Sequence, residues 1–162
     1  YLKIISAKTA ELFAAATKVG AILSDMKSKE KEALEFYGRN LGLTFQIADD
    51  TLDYNSELKL FGKKIGQDFY EGKITLPIIL LFQRADDKEK ERLKEIFSKN
   101  VRSKDDLEYS LSLIKRYEII KACYQKAEHY INLASNSLSV FSDSEEKNIL
   151  ENLTSFSLTR SF

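Results

Sequence analysis

The sequence predicts an all-α fold, and three observations carry that prediction. A single proline (Pro77) and six glycines leave long stretches without a helix breaker. Apolar residues recur at the spacing of a helix face along most of the chain. No segment alternates apolar and polar residues as a half-buried strand does. Taken in order, Leu2, Ile5, Thr9, Leu12, Ala16 and Val19 trace one face of a first helix over 1–25. A second helix runs from Ser28 to Tyr54, with Lys and Glu in its first turns and acidic residues at its end. Residues 55–67 include Gly62 and Gly66 and read as loop. Asp68 is expected to cap the next helical segment, which Pro77 kinks or restarts. Further helices are expected at about 87–99, 103–116, 118–140 and 143–160, the last opened by a capping box of Asp143 and Glu146. The pairs Asp86-Asp87 and Asp105-Asp106 stand at the starts of charged helices, where carboxylates suit the helix dipole.

Composition sets outer limits. With 162 residues and 43% hydrophobic content, the chain is expected to form one domain over 1–162 with a real core. Its 25 Lys and Arg offset 25 Asp and Glu, and no dense basic block stands out, so nucleic-acid binding has no electrostatic support. One cysteine, Cys123, forms no internal disulfide, which fits a reducing compartment. No apolar run approaches the roughly 20 residues that span a bilayer, and no signal-peptide pattern is read. The chain opens at Tyr1 inside an apolar-periodic segment and reads as the back part of something longer.

The most informative stretch is Phe45-Gln46-Ile47-Ala48-Asp49-Asp50-Thr51-Leu52-Asp53. Gln46, Asp49, Asp50 and Asp53 lie at i, i+3, i+4 and i+7 and form one polar stripe of a helix. Phe45, Ile47, Ala48 and Leu52 occupy the rest of the circumference, so the stripe is expected to be buried. Buried carboxylates demand something cationic opposite them. Basic residues recur beside glycines just downstream, in Gly62-Lys63-Lys64-Ile65-Gly66-Gln67-Asp68 and Glu71-Gly72-Lys73-Ile74-Thr75-Leu76-Pro77. Glycine lets backbone approach a bulky anion, and lysine is a mobile point charge suited to phosphate oxygens. Carboxylate oxygens beside phosphate suit Mg2+, which keeps several waters and takes one or two protein carboxylates. The spacing is neither an EF-hand nor a P-loop. A solvated acidic face is the bland alternative for the aspartates.

At this point the chain resembles the trans-isoprenyl (polyprenyl) diphosphate synthases. Phe45-Gln46 followed by Asp49-Asp50-x-x-Asp53 is similar to their second aspartate-rich motif. Lys8-Thr9-Ala10-Glu11-Leu12-Phe13 resembles their Lys-Thr segment. Gly62-Lys63-x-x-Gly66-x-Asp68 and Gly72-Lys73-x-Thr75-Leu76-Pro77 resemble the downstream signature, and Phe156-Ser157-Leu158-Thr159-Arg160 resembles the last helix. The wording is closest to the bacterial long-chain, octaprenyl-type members. The resemblance implies the C-terminal portion of an isoprenoid-synthase-type helical bundle, and head-to-tail prenyl transfer between an allylic diphosphate and isopentenyl diphosphate. It implies that Asp49, Asp50 and Asp53 hold Mg2+. Lys8, Lys63 and Lys73 would bind the diphosphate, and Phe45 would pack against the isoprenoid. Thr9 and Gln46 would lie near the reacting carbon. It further implies a cytoplasmic homodimer making a quinone side-chain precursor. Lys64 has no counterpart role, and His129 and Cys123 are expected to pack in a helix far from the motif.

One departure is large. The first aspartate-rich motif and the residues that hold isopentenyl diphosphate in that family have no counterpart here, so this stretch alone is expected to transfer no prenyl group. Two rival readings are a terpene cyclase sharing the fold, disfavoured by Lys8-Thr9 and Gly72-Lys73-x-Thr75-Leu76-Pro77, and a non-catalytic subunit or degenerate remnant that binds a partner synthase.

Overall fold

A computed structural model describes residues 1–55 and 65–159. The described residues are helical throughout, without a strand: α1 (Leu2–Ile5), a π-helical segment (Ser6–Ala10), α2 (Glu11–Leu23), α3 (Ser28–Leu52), α4 (Gln67–Glu71), α5 (Leu76–Arg84), α6 (Asp87–Ser98), α7 (Lys104–Arg116), α8 (Ile119–Ser137), a 3-10 turn (Leu138–Val140) and α9 (Glu145–Thr159). They divide into two compact units, Tyr1–Ala48 with Gln125–Phe162, and Asp49–Tyr124. No described helix is long and apolar enough to cross a membrane.

The first unit corrects the face expected for the first helix. Leu12 is 75% exposed and Val19 is 50% exposed, while Ile5, Ala10, Ala14 and Ala21 are the buried positions. The π-helical segment explains the change: its wider turn carries the buried face from Ile5 to Ala10, the i to i+5 step of that geometry. Alanine lines this face because α3 comes very close. A Cβ added to Gly42 would lie 2.7 Å from the Cα of Ala10, and one on Gly38 would lie 2.4 Å from the carbonyl oxygen of Phe13. Thr17 ties the helices further, donating to the Leu34 carbonyl at 2.6 Å, and Lys18 pairs with Glu35 at 2.6 Å. Behind them Tyr37, Leu41, Ala134 and Leu138 form a buried cluster flanked by Phe13, Leu34, Phe141 and Leu150. The Tyr37 hydroxyl donates to the Leu150 carbonyl at 2.7 Å, and burial pushes its pKa up to about 12.

The second unit is built on Phe69, Ile78, Leu81, Leu93, Ile96, Ile114 and Ile119, all fully buried. Phe69 meets Phe97 edge-on with ring centroids 5.4 Å apart. The helix starts follow capping chemistry. Asp86 and Glu89 form the capping box of α6, and Ser103 and Asp106 that of α7. Glu89 is also held by the Arg116 guanidinium and the Tyr117 hydroxyl, both at 2.6 Å. Pro77 restarts rather than kinks: it sits in the first turn of α5, where its missing N–H costs nothing. Two caps differ from expectation. Asp68 lies inside α4, whose N-cap is Gly66. In the last helix Ser144, not Asp143, accepts from the Lys147 N–H at 3.2 Å, and Asp143 instead pairs with the Lys147 ammonium at 2.9 Å.

Candidate active site

In the first unit Lys8 and Thr9 lie in the π-helical segment, and Lys8 is exposed. π-Helical turns recur at functional sites because the widened turn redirects side chains. The Thr9 hydroxyl donates to Oε1 of Gln46 at 2.7 Å, across 37 residues of sequence. With its proton committed to Gln46, the Thr9 oxygen has only lone pairs to offer other partners. Gln46 is buried. Phe45 is half-buried and its ring meets that of Phe13 at 5.7 Å. The pairing of the Lys-Thr segment with the Phe-Gln segment is therefore direct. What permits it is the approach of Gly42 to Ala10, one helical turn before Gln46 and one residue after Thr9.

In the second unit the three aspartates fall into three environments. Asp49 is exposed, so the stripe is not buried along its length. Asp50 is buried and engaged in contacts. Asp53 lies beyond the end of α3 and is half-buried. Its Oδ1 accepts from the Gln67 N–H at 3.0 Å and its Oδ2 from the Asp68 N–H at 2.9 Å, while its carbonyl accepts from the Gly66 N–H at 2.9 Å. Asp53 thus caps α4 from 14 residues away, the role expected of Asp68. Burial raises its pKa above the ordinary carboxylate value, and the Asp68 N–H works against that rise. Among the described residues no three His, Cys, Asp or Glu side chains form a ready-made metal cage.

Lys63 and Lys64 lie outside the described residues, as does Arg160. Lys73 is exposed and follows Gly72, whose φ of 75° closes α4 in the left-handed region. Its ammonium lies 3.0 Å from Asp68 and 2.6 Å from Glu71, and both partners raise its pKa, Glu71 first. Sequence reasoning missed the residue behind this turn. Arg102 donates to the Phe97 carbonyl at 2.9 Å and lies so close to Gly72 that a Cβ there would meet its guanidinium at 2.7 Å. No spacing signal links Arg102 to Gly72, because the contact is made by tertiary packing.

Two bystanders are placed as well. His129 is exposed and meets Tyr130 edge-on. Cys123 is buried, and burial pushes its thiol up to about 12. It is not far from the motif, for the Thr51 hydroxyl hydrogen-bonds it.

Known proteins match this arrangement along the whole chain. The model of the polyprenyl synthetase family matches residues 1–114. A short chain isoprenyl diphosphate synthase of Methanothermobacter thermautotrophicus is 37% identical over 162 residues, covering 99% of this chain and 49% of the relative. The octaprenyl diphosphate synthase of Haemophilus influenzae is 28% identical, with 100% and 49% covered. Among solved structures, the polyprenyl synthase of Caulobacter crescentus, complexed with calcium and isoprenyl diphosphate, superposes with a TM-score of 0.91 at 38% identity, covering 100% of this chain and 49% of that one. The chain spans about half the length of these relatives.

Proposed function

We propose, from the premise that this chain belongs to the polyprenyl synthetase family, that it carries one side of the reaction site of a prenyltransferase that condenses isopentenyl diphosphate with an allylic diphosphate. The observation that carries this reading is the Thr9–Gln46 hydrogen bond of 2.7 Å, which joins two of the segments that bear the family resemblance. The calcium and isoprenyl diphosphate bound by the Caulobacter crescentus relative support a cation-bound diphosphate as ligand. The donor set fits Mg2+: Asp49 offers an exposed hard oxygen, and this ion needs only one or two carboxylates when phosphate and water complete its shell. Asp49, with Asp50 and Asp53 beside it, would hold the ion. When bound, Mg2+ neutralises charge on the diphosphate leaving group.

The chain's own residues do the rest. Lys8, Lys63 and Lys73 donate to diphosphate oxygens, and Lys73 exchanges its Asp68 and Glu71 partners for them at little cost, since Lys73 and Glu71 are exposed and Asp68 is half-buried. As the allylic C–O bond breaks, positive charge develops on carbon. The lone pairs of Thr9 and the oriented dipole of Gln46 face that charge and stabilise it. Phe45 packs against the isoprenoid. The double bond of isopentenyl diphosphate then attacks, and the proton it loses passes to the departing pyrophosphate. No covalent enzyme intermediate is needed. The product would serve as a quinone side-chain precursor, in a homodimeric cytoplasmic enzyme. With one Asp-Asp-x-x-Asp in the sequence, the 162-residue chain by itself is expected to transfer no prenyl group.

The test is label transfer from isopentenyl diphosphate to an allylic diphosphate in Mg2+, using the complete protein. Asp49→Ala is expected to cut turnover by about 10²–10³, the scale of one lost electrostatic contact at a transition state. Activity in that variant equal to wild type would return the aspartates to the status of a solvated face. Activity lacking in wild type, with tight binding to a separate synthase, would favour the non-catalytic subunit.

A further inference from the structure

The last four carbonyls of a helix find no partner within it, and at α4 their fate decides where Lys73 stands. The Asp68 carbonyl accepts from the Lys73 N–H at 2.9 Å, and the Phe69 carbonyl from the Gly72 N–H at 3.0 Å. These are the two bonds of a Schellman turn, with Gly72 at its left-handed position. The Lys73 backbone is therefore part of the cap, and whatever fixes Gly72 fixes the root of the Lys73 side chain. The next carbonyl, that of Tyr70, is met from outside the turn by Nη1 of Arg102, at a long 3.4 Å.

Arg102 also takes the room that a side chain at position 72 would need. A Cβ on Gly72 would lie 2.7 Å from Nη2, 2.9 Å from Nη1 and 3.0 Å from Cζ of Arg102. Asparagine also enters the left-handed region, yet its Cβ would meet the same three atoms. The guanidinium is itself anchored. Its Nη2 donates to the Phe97 carbonyl, in the last turn of α6, at 2.9 Å, and it stands 5.3 Å from the centre of the Phe97 ring. That ring meets the fully buried Phe69 of α4. A continuous chain of contacts thus runs from the core through Phe97, Arg102 and Gly72 to Lys73, inside one compact unit.

We propose that Arg102 is a positioning residue for diphosphate binding: its forked end, seated on Gly72 and tied to Phe97, holds the turn from which Lys73 reaches the ligand. This rests on the reading of Lys73 as a diphosphate ligand. A lysine ammonium is a mobile charge on a flexible stem, so the fold can fix only the point from which it swings. Lysine at position 102 does not replace the arginine, because an ammonium has the charge without the rigid fork.

Arg102→Met, Arg102→Lys, Lys73→Ala and the combination of Arg102→Met with Lys73→Ala are compared with wild type in the complete protein. Titration calorimetry with inorganic pyrophosphate in Mg2+, below every melting point, reads affinity and the number of sites separately. Arg102→Met should weaken binding about tenfold with the number of sites unchanged, a coupling of ordinary size between groups in contact. Arg102→Lys should lose as much. In the Lys73→Ala background Arg102→Met should weaken binding no further, because Arg102 acts only through Lys73. A loss that multiplies with that of Lys73→Ala overturns the proposal, as does wild-type affinity in Arg102→Lys. A fall in the number of sites at unchanged affinity also overturns it, since that is the mark of a merely structural arginine. Wild type that fails to bind pyrophosphate, or Lys73→Ala that binds it as wild type does, overturns the reading of Lys73 and this inference with it. Weakened binding in Lys73→Ala beside wild-type affinity in Arg102→Met sinks this inference alone.

Discussion

Gly42→Ala tests whether the approach of two helices, rather than the identity of the reacting side chains alone, sets the candidate site. The new Cβ would stand 2.7 Å from the Cα of Ala10, 3.1 Å from Cβ of Phe13 and 3.2 Å from Cβ of Ala10. Ordinary contact begins at 3.4 Å, so α3 and the π-helical segment must part by 3.4 − 2.7 = 0.7 Å. The nearest atom is backbone and cannot swing aside. Added to the 2.7 Å Thr9–Gln46 bond, the same displacement gives 3.4 Å, beyond the range of a sound O–H···O bond. Stability feels two opposing effects. Alanine gains about 1 kcal/mol over glycine inside a helix, while overpacking costs about 1–3 kcal/mol, so the net loss should be at most about 2 kcal/mol. Turnover should suffer more, by roughly 10²-fold, the effect of displacing a reacting group by about an ångström. Gly20→Ala is the control: it lies in α2 with nothing within 4 Å of its Cβ, so it should stabilise by about 0.5–1 kcal/mol and leave turnover alone. Calorimetry and label transfer on the complete protein read both quantities. Wild-type turnover in Gly42→Ala would refute the claim that this contact aligns Thr9 with Gln46.

Lys73→Ala should lower unliganded stability by no more than about 1 kcal/mol, the ceiling for an exposed pair, yet weaken Mg-pyrophosphate binding about tenfold to a hundredfold. A large fall in the unliganded melting point, with the ligand-induced shift preserved, would show it to be a structural lysine. Asp106→Asn probes pH: Lys99 holds the Asp106 carboxyl below its ordinary value of 3.8, helped by the Ser103 N–H. A lowered folded-state pKa gives stability that is present above 3.8 and lost as pH falls through the folded value. The variant should thus be less stable by about 1 kcal/mol at neutral pH, a deficit that closes in acid below 3.8 when urea midpoints are compared. Cys123→Ser should keep turnover within a few-fold of wild type at a cost of about 1–3 kcal/mol for the buried hydroxyl. His129→Gln, at an exposed position, should change neither quantity in the same two assays.

Helix number, order and most boundaries were legible because each rests on local signals: periodicity, capping residues, and a proline placed where a helix begins. The Ser28 start, the helix starts marked by Asp86-Asp87 and Asp105-Asp106, and the α6 to α9 spans are of this kind, whereas the capping box expected of Asp143 and Glu146 gives way to Ser144. What failed was phase. The π-helical segment shifts the buried face by one residue, and nothing in Ser6-Ala-Lys-Thr-Ala10 announces a π turn; the structure shows Ala10 packed closely on Gly42 of α3 there. The Thr9–Gln46 pair was legible as two motif positions but not as a bond, because 37 residues separate them. Asp53 as the cap of α4 was hidden for the same reason, and Asp68 looked better placed only by its position in the sequence.

That misassigned cap bears on how the acidic run is built. A helical stripe suggests three equivalent carboxylates, yet they hold three different positions. Asp53 spends both oxygens on backbone N–H groups, so its first consequence is structural: it fixes the start of α4, and through α4 the turn at Gly72 that presents Lys73. Asp68, freed from capping, pairs with the Lys73 ammonium instead. Asp50 is buried, and Asp49 alone is exposed. The end of the acidic run at Asp53 and the Gly72-Lys73 turn are therefore parts of one folded object rather than two motifs that meet only on a ligand. An anion bound at Lys73, as proposed, would pull on Asp68 and α4, whose first N–H groups are held by Asp53. A cation held at Asp49, as proposed, would draw on the same stretch of chain from its other end. Binding of either ion should thus be felt by the other through Asp53, and the coupling needs no motion larger than the exchange of an exposed ion pair.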